Sequence, residues 1–495
     1  MVNRKLTLNP IHSDAEFEAF IGQFTSYEAM LSYHYGHETM KLERMTSLAA
    51  DLGNPHLATR AIHVAGTKGK GSTCLILEAL LMASGNEVGT YLSPHVEFLR
   101  ERIRKDGRPI PEDDLCTLLN SILPTLEQRH ALTDGEGTPQ SFPTFFELMT
   151  ALAMLYFKRQ SVGYALYEVG LGGRLDATNI LRPVLTAITS IGMEHTDKLG
   201  DTLASIAGEK AGVIKSDTPS IVGPSIAKEA RDVIRARAQD MKAPLIEVAP
   251  DTIQCIRHEG TPALRIRPHD WILPCGPLPG PGLRDDLAIA LSLWENILEI
   301  QGVEPRRETV LEALGRLGEN QLPGRVEVID GSPPVILDGA HTEESVASLT
   351  AAVEELAIPQ PRTLLVSVAS DKRADAILSQ LASIAEEIYF TRCDPVRSLP
   401  PDELRQRFLA LKTAPQSGGI RSEKLQVSED PVEAFLAARK RNNPVVVTGS
   451  FFLVGAIRQY LRENGLVAEK EPQKERNAPS QKHRSNGSSS RTTQR

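Results

Sequence analysis

The sequence predicts an α/β protein of two domains: a larger domain built on a mostly parallel sheet with a small antiparallel insertion, then a smaller Rossmann-like domain. Three observations predict this. Short apolar runs alternate with helical patterns from residue 61 onward, a second such series begins near residue 325, and a glycine-rich segment separates the two. At 495 residues with 41% apolar content, the chain is also too long for one compact core.

The first fifty-odd residues look helical, most clearly "YEAMLSYHYGHETMKLERMTSLAADLG" (27–53). "AIHVAG", "EVGTYLS", "YALYEVG", "VLTAITSIG" and "PSIVGP" then read as buried strands. Helical patterns at about 72–84, 144–159, 201–215 and 226–240 fall between them. "PLIEVAPDTIQCIRHEGTPALRIRPHDWILPC" alternates as an antiparallel insertion does, and a helix at about 285–300 follows. "GRLGENQLPGR" (315–325), with three glycines and a proline, reads as a linker. Beyond it, "VEVIDG", "PVILDGA", "TLLVSVAS", "EIYFTR" and "PVVVTGS" read as strands of a second sheet. The expected division is a first domain over 1–317, a linker over 318–323, a second domain over 324–466 and a disordered tail over 467–495. From residue 469 the tail has seven basic and three acidic residues and one aliphatic residue, Ala478, too little apolar surface to fold.

Net charge is −8, which argues against a general nucleic-acid role and leaves room for small anionic substrates in a local basic pocket. Cys74, Cys116, Cys255, Cys275 and Cys393 are scattered without metal or redox spacing, which suits a reduced, cytoplasmic protein. No signal core and no membrane-spanning apolar run is present, so no membrane role is expected.

The stretch "AIHVAGTKGKGSTCLILEALL" (61–81) places a glycine-rich loop with two lysines between a strand and a helix. A strict phosphate loop has four residues between its first glycine and Gly-Lys; here only Thr67 and Lys68 separate Gly66 from Gly69-Lys70, and Gly71 precedes Ser72. The physics still suits an anion. Glycines let backbone N–H groups approach phosphate oxygens, and the helix N-terminus points its dipole at them. Lys70 adds a point charge and Ser72 a hydroxyl. The structural alternative is a tight turn with two solvated lysines.

The companions decide between these. "YLSPHVEFLRERI" (91–103), "EVGLGGRLDATN" (168–179), "SIGMEHTD" (190–197), "GEKAGVIK" (208–215), "LPGRVEVI", "ILDGAHTEE" and "VVVTGSFFLVG" follow in order. Together the motifs, over roughly residues 25 to 463, resemble the folylpolyglutamate synthase/dihydrofolate synthase family of the Mur ligase superfamily. Many bacterial members have Asn at the position of Lys68, and a lysine there also occurs in the family.

The resemblance implies an ATP-dependent ligase that adds L-glutamate to a folate through an acyl phosphate. Whether it also makes dihydrofolate from dihydropteroate stays open. It implies Lys70, Glu168, His195 and Lys210 as catalytic, and an ATP site of Gly66, Thr67, Gly69, Lys70, Gly71, Ser72, Asp286, Arg325 and Asp338. Ser93, Glu168 and His195 are the implied Mg2+ ligands, and Lys210 matches the lysine that the family carbamylates to help hold a second magnesium. Arg102, His341 and Ser450 match the glutamate-binding positions; an arginine fork can bond both oxygens of a carboxylate. Thr144, Phe145, Phe146, Leu175 and Asp176 match the folate side, where an aromatic ring can stack on a pterin. Because these residues flank the linker, domain closure is expected, and the resemblance suggests a monomer.

The family's His-Gln before the helix near 287 is replaced by Gly282 and Leu283, and its adenine-contacting Asn by Asp286. An ionised Asp only accepts, whereas an amide also donates, so adenine recognition is unsettled. Thr342 replaces a usual Asn and Arg373 a frequent Asp. Two other readings stay open: a Mur-type ligase for another acid, and a nucleotide-binding paralogue without turnover.

Overall fold

In the computed structural model, the runs expected as strands form two separate α/β sheets, as the fold class requires. The structure describes residues 9–30, 35–36, 39–40, 42–131, 142–274, 278–320, 322–411 and 422–467. The tail from 468 onward, Cys275 and parts of the early helical segment lie outside these residues.

The larger sheet contains β1 (Arg60–Ala65), β2 (Val88–Tyr91), β3 (Ile103–Lys105), β4 (Arg108–Pro109), β5 (Tyr164–Glu168), β6 (Leu185–Ile188), β7 (Ser220–Val222) and β8 (Leu245–Glu247). Their spatial order is β4-β3-β2-β5-β1-β6-β7-β8. The run from β2 to β8 is parallel; β3 and β4 add an antiparallel edge. The expected insertion forms its own antiparallel sheet of β9 (Ile253–His258), β10 (Thr261–Ile266) and β11 (Trp271–Pro274).

Helix Lys70–Ala83 lies on the large sheet because its apolar residues run all round it. Leu77, Leu80 and Leu81 share one core with Leu287, Leu291 and Trp294 of helix Gly280–Gln301. Trp294 is buried and donates its indole N–H to Ser84 Oγ at 2.8 Å. Its truncation to Ala is expected to cost about 3–5 kcal/mol in a denaturant titration.

The second sheet contains β12 (Glu327–Ile329), β13 (Val335–Leu337), β14 (Thr363–Val366), β15 (Glu387–Phe390), β16 (Leu425–Val427) and β17 (Val445–Thr448). Its order is β12-β13-β17-β14-β15-β16, parallel except for β12. β16 was not expected; it is a short edge strand with one buried residue.

Two expectations are corrected. The linker reading fails over 315–320, because helix Arg307–Asn320 runs through it. Val310, Ala313, Leu314 and Leu317 recur at helical spacing and are buried in the main core. Gly315 and Gly318 lie on the exposed face, where each costs only about 1 kcal/mol of helix propensity. In the early segment, the described residues form a short turn of 3-10 helix, Tyr27–Ala29, and helix Leu42–Asp51. Among the described residues, no helix is long and apolar enough to cross a membrane.

The topology places the site. β2, β5, β1 and β6 lie side by side and parallel, so their carboxyl ends open onto one edge. Chain order reverses around β1, with β2 and β5 on one side and β6 and β7 on the other. Such a switch point leaves a crevice outside the strand ends, where open α/β sheets bind ligands.

Candidate active site

The loop after β1 enters helix Lys70–Ala83 with Gly69 at the N-cap, at a φ of 82° that suits glycine. The N–H groups of this first turn have no partner within the helix and favour an anion. A Cβ at Gly71 would lie 2.5 Å from Arg325 Nη2 and 3.1 Å from Glu168 Oε2, so a guanidinium and a carboxylate both reach the helix start. Strand β6 delivers the clasp that shapes the loop. The Thr189 hydroxyl donates to the Lys68 carbonyl, Ser190 Oγ accepts from the Lys68 N–H at 2.8 Å, and the Thr67 N–H donates to the Ser190 carbonyl at 2.8 Å. The Gly192 N–H donates to Thr67 Oγ1 at 3.0 Å.

Glu168 ends β5, buried, with Lys70 Nζ 4.0 Å from its Oε1. The Ser93 N–H donates to Glu168 Oε2 at 2.9 Å. Burial raises the Glu168 pKa, against Lys70, Arg325, the Ser93 amide and Arg102. Ser93 follows β2, and its hydroxyl is buried with no hydrogen-bond partner among the described residues. Lys210, on helix Leu203–Ala211, donates to the Gly66 carbonyl at 3.0 Å. Burial and then Lys70 lower its pKa to about 7.

His195 precedes the short helix Thr196–Leu199, with φ of 52°. Burial lowers its pKa to about 3, leaving the neutral imidazole that a metal ligand must present. Among the described residues, no three His, Cys, Asp or Glu side chains gather as a metal group; the implied set instead includes Ser93 and Lys210.

The second sheet contributes from the other side. Arg325 donates to the Pro323 carbonyl at 3.0 Å and lies over the Phe451 ring at 5.5 Å. Asp338 accepts from the Val326 and Ala340 N–H groups, each at 2.8 Å, and burial raises its pKa to about 6. Ser450 caps helix Phe451–Glu463, accepting from the Phe452 N–H at 3.1 Å. His341 Nε2 lies 3.2 Å from Glu194 Oε1 and 3.3 Å from Lys68 Nζ. Arg102 is buried; its fork meets the Glu28 carboxylate at 3.0 and 2.7 Å, its Nε donates to His95 Nδ1 at 3.1 Å, and it lies over Phe145 at 5.0 Å.

Other expected residues hold local structure. Asp286 is buried against the loop; a Cβ on Gly69 would lie 2.0 Å from its Oδ1, and it accepts from Thr73 at 3.5 Å. Thr144 caps helix Phe145–Arg159, and its N–H bonds Glu147, which pairs with buried Arg44 at 2.6 Å. Asp176 accepts from the Gly170, Leu171 and Thr178 N–H groups, each at 3.0 Å, while Leu175 is buried beside it in sequence. Phe146 stands 5.9 Å from the Tyr91 ring.

Sequence reasoning missed one group: Glu194, which Lys68 approaches at 3.0 Å and Lys372 at 3.4 Å as well as His341. Burial alone would raise its pKa, but His341, Lys68 and Lys372 hold it well below the usual carboxylate range. Glu194 adjoins His195 in "MEHTD", and that adjacency was the available signal.

A glycine-rich loop at one sheet's switch point, with Arg325 reaching its helix start, fits an ATP-dependent acid–amino-acid ligase of the Mur type, and the comparisons with known proteins show that class. Residues 326–462 match the family model described as dihydrofolate synthetase, C-terminal domain. The chain is 34% identical over 458 residues to the dihydrofolate synthase/folylpolyglutamate synthase of Bacillus subtilis, covering 89% of this chain and 100% of the relative. Its fold matches Mycobacterium tuberculosis folylpolyglutamate synthase complexed with ADP, at a TM-score of 0.76 and 25% identity over 90% of this chain and 98% of that one. It also matches E. coli FolC in complex with DHPP and ADP, at a TM-score of 0.73 and 27% identity over 92% and 99% of the two chains. The chain belongs to the folylpolyglutamate synthase/dihydrofolate synthase family.

Proposed function

We propose that this protein joins L-glutamate to a folate carboxylate, with ATP converted to ADP and phosphate. The observation that carries the reading is the meeting of Lys70, Glu168 and Arg325 at the first turn of helix Lys70–Ala83. The ADP bound by the relatives of known structure supports a nucleotide there. A carboxylate is a poor acyl donor because its leaving group would be oxide. The carboxylate oxygen attacks the γ-phosphorus, the bond to the ADP oxygen breaks, and an acyl phosphate results. The glutamate amine then attacks the acyl carbon, loses a proton and expels phosphate. The chain's task is positioning and charge neutralisation. Lys70 and the loop amides hold the triphosphate, Arg325 meets its charge from the other sheet, and Asp338 accepts from the nucleotide. Arg102, His341 and Ser450 hold the incoming glutamate, with Thr144, Phe145, Phe146, Leu175 and Asp176 along the folate side.

Mg2+ suits this donor set. Ser93 has an orphaned buried hydroxyl, and its N–H bonds the Glu168 carboxylate; the imidazole of His195 is neutral. Those three side chains would hold it, and a carbamate on Lys210 would add oxygen donors for a second ion. The metal supplies charge neutralisation at the phosphates. In this reading, the nucleotide-binding domain runs to the end of helix Arg307–Asn320, residues 324–466 form the glutamate-ligase domain, and the enzyme works in the cytoplasm as a monomer.

The test is ADP release by the purified protein with tetrahydrofolate plus glutamate and with dihydropteroate plus glutamate. Turnover with the first pair is expected. Turnover with the second would add dihydrofolate synthesis, and no folate-dependent release with either pair would overturn the reading.

A further inference from the structure

Of the three side chains assigned to the incoming amino acid, Arg102 and His341 each face a carboxylate of the protein itself. They face different kinds. Glu194, opposite His341, has a side chain only 10% exposed and is shared with Lys68 and Lys372. Glu28, opposite Arg102, is 38% exposed, while the Arg102 side chain is 2% exposed. The Arg102 fork engages both oxygens of the Glu28 carboxylate.

We propose that Glu28 is a substrate-mimicking carboxylate that occupies the Arg102 fork until the incoming glutamate displaces it. This rests on the reading above that Arg102 binds glutamate. A buried guanidinium stripped of its anion is strongly unfavourable, so Arg102 needs a carboxylate whether or not substrate is present. Exchanging one carboxylate for another keeps it paired throughout. The exchange is easy from the Glu28 side, because a partly exposed carboxylate released from its ion pair returns to water at little cost.

The backbone around Glu28 is tied independently of its carboxylate. Arg397 Nη1 donates to the Glu28 carbonyl at 3.0 Å, and the Arg397 guanidinium lies over the Phe452 ring at 5.5 Å, two residues beyond Ser450. The segment therefore stays beside the glutamate-binding elements while the side chain swings. Glu28 sets a threshold: a ligand must bring a carboxylate that bonds the fork better than Glu28 does, which selects for an amino acid with a free carboxylate over a neutral amine.

The test measures glutamate KM, ATP KM and kcat for the full chain with tetrahydrofolate. Glu28→Gln is expected to lower glutamate KM about threefold or more, with ATP KM unchanged. An unchanged or raised glutamate KM overturns the proposal, the raised value marking Glu28 as a support for Arg102. If Glu28→Gln does not fold, Glu28→Asp keeps the charge, withdraws the carboxylate by one methylene and is expected to move glutamate KM in the same direction. Arg102→Lys separates the two claims. If it leaves glutamate KM unchanged, the assignment of Arg102 itself is wrong. If it raises glutamate KM while Glu28→Gln does not lower it, only the mimicry fails.

Discussion

Lys210 Nζ lies 3.0 Å from the Gly66 carbonyl oxygen, so the amine proposed for carbamylation is held directly beneath the phosphate loop. Its pKa of about 7 leaves a large neutral fraction near neutrality, and the neutral amine is the form that adds carbon dioxide. At limiting bicarbonate, turnover is expected to rise as pH passes about 7. Native mass spectrometry is expected to show a labile carbon dioxide adduct that Lys210→Ala removes, with kcat falling roughly a hundredfold. The stability effect has the opposite origin from an ion pair. Between about 7 and the ordinary 10.5, the unfolded chain binds the proton that the folded lysine has lost, so this group makes stability rise with pH across that window. No adduct together with a fully active Lys210→Ala protein would remove the lysine from the chemistry.

Lys70 makes few structural contacts: it donates to the Thr67 carbonyl at 3.4 Å and lies 4.0 Å from Glu168. Its removal takes one cation from buried Glu168, which Arg325 still neighbours, so the melting temperature is expected to fall by a few degrees and kcat about a hundredfold or more, with a raised KM for ATP. The paired measurements are a circular dichroism melt and ADP release from Lys70→Ala. Near-normal turnover in a folded variant would mean that the loop does not act through this lysine.

These contacts show what the sequence could and could not disclose. β1, β5 and β6 were legible because strands covered on both faces read as short continuous apolar runs, and their order placed Gly66, Glu168 and Thr189 at one edge. The end of helix Arg307–Asn320 reads as linker because Gly315 and Gly318 lie in it, although the helical spacing of Val310, Ala313, Leu314 and Leu317 was an available signal against that. The Glu28–Arg102 pair spans 74 residues and the Lys68–His341 contact 273, and no periodicity links such positions. Asp286 shows a subtler limit. Its departure from the family pattern was visible, but its contact with Gly69 was not, because one lies on the loop and the other on a helix more than two hundred residues later.

Asp286→Asn tests what that carboxyl costs. Burial, reinforced by Asp285, raises its pKa well above 3.8. The folded protein therefore keeps a proton that the unfolded chain releases, and through this group stability falls as pH rises from about 3.8 through the folded value. An amide has no such window. Chemical denaturation at mildly acidic and at neutral pH is expected to show a smaller difference for Asp286→Asn, with a gain of about 1–3 kcal/mol at neutral pH. The same pH dependence in both proteins would rule out Asp286 as the titrating group.

Glu97 tests how the two sheets are held together. It lies on the loop between Ser93 and Arg102, and its carboxylate bonds Arg458 Nη1 and, at 2.9 Å, Arg462 Nε on helix Phe451–Glu463. Arg458 also reaches Glu327 Oε1 at 2.9 Å. The Glu97 side chain is 1% exposed, so Glu97→Gln puts a neutral amide where two arginines require an anion. Breaking a buried pair costs about 3–5 kcal/mol, and the 15% and 27% exposure of the arginine side chains discounts that to about 2 kcal/mol. The melting temperature is expected to fall by several degrees. Turnover is expected to fall with it, because the loop that bears Ser93 and Arg102 loses its tie to the sheet that bears His341 and Ser450. ATP KM is expected to hold, since the phosphate loop takes no part in this contact. A Glu97→Gln protein that melts and turns over like the parent would show that closure does not depend on the clamp, and that the loop is held by its own Glu101 carboxylate, which accepts the Val96 N–H at 2.7 Å.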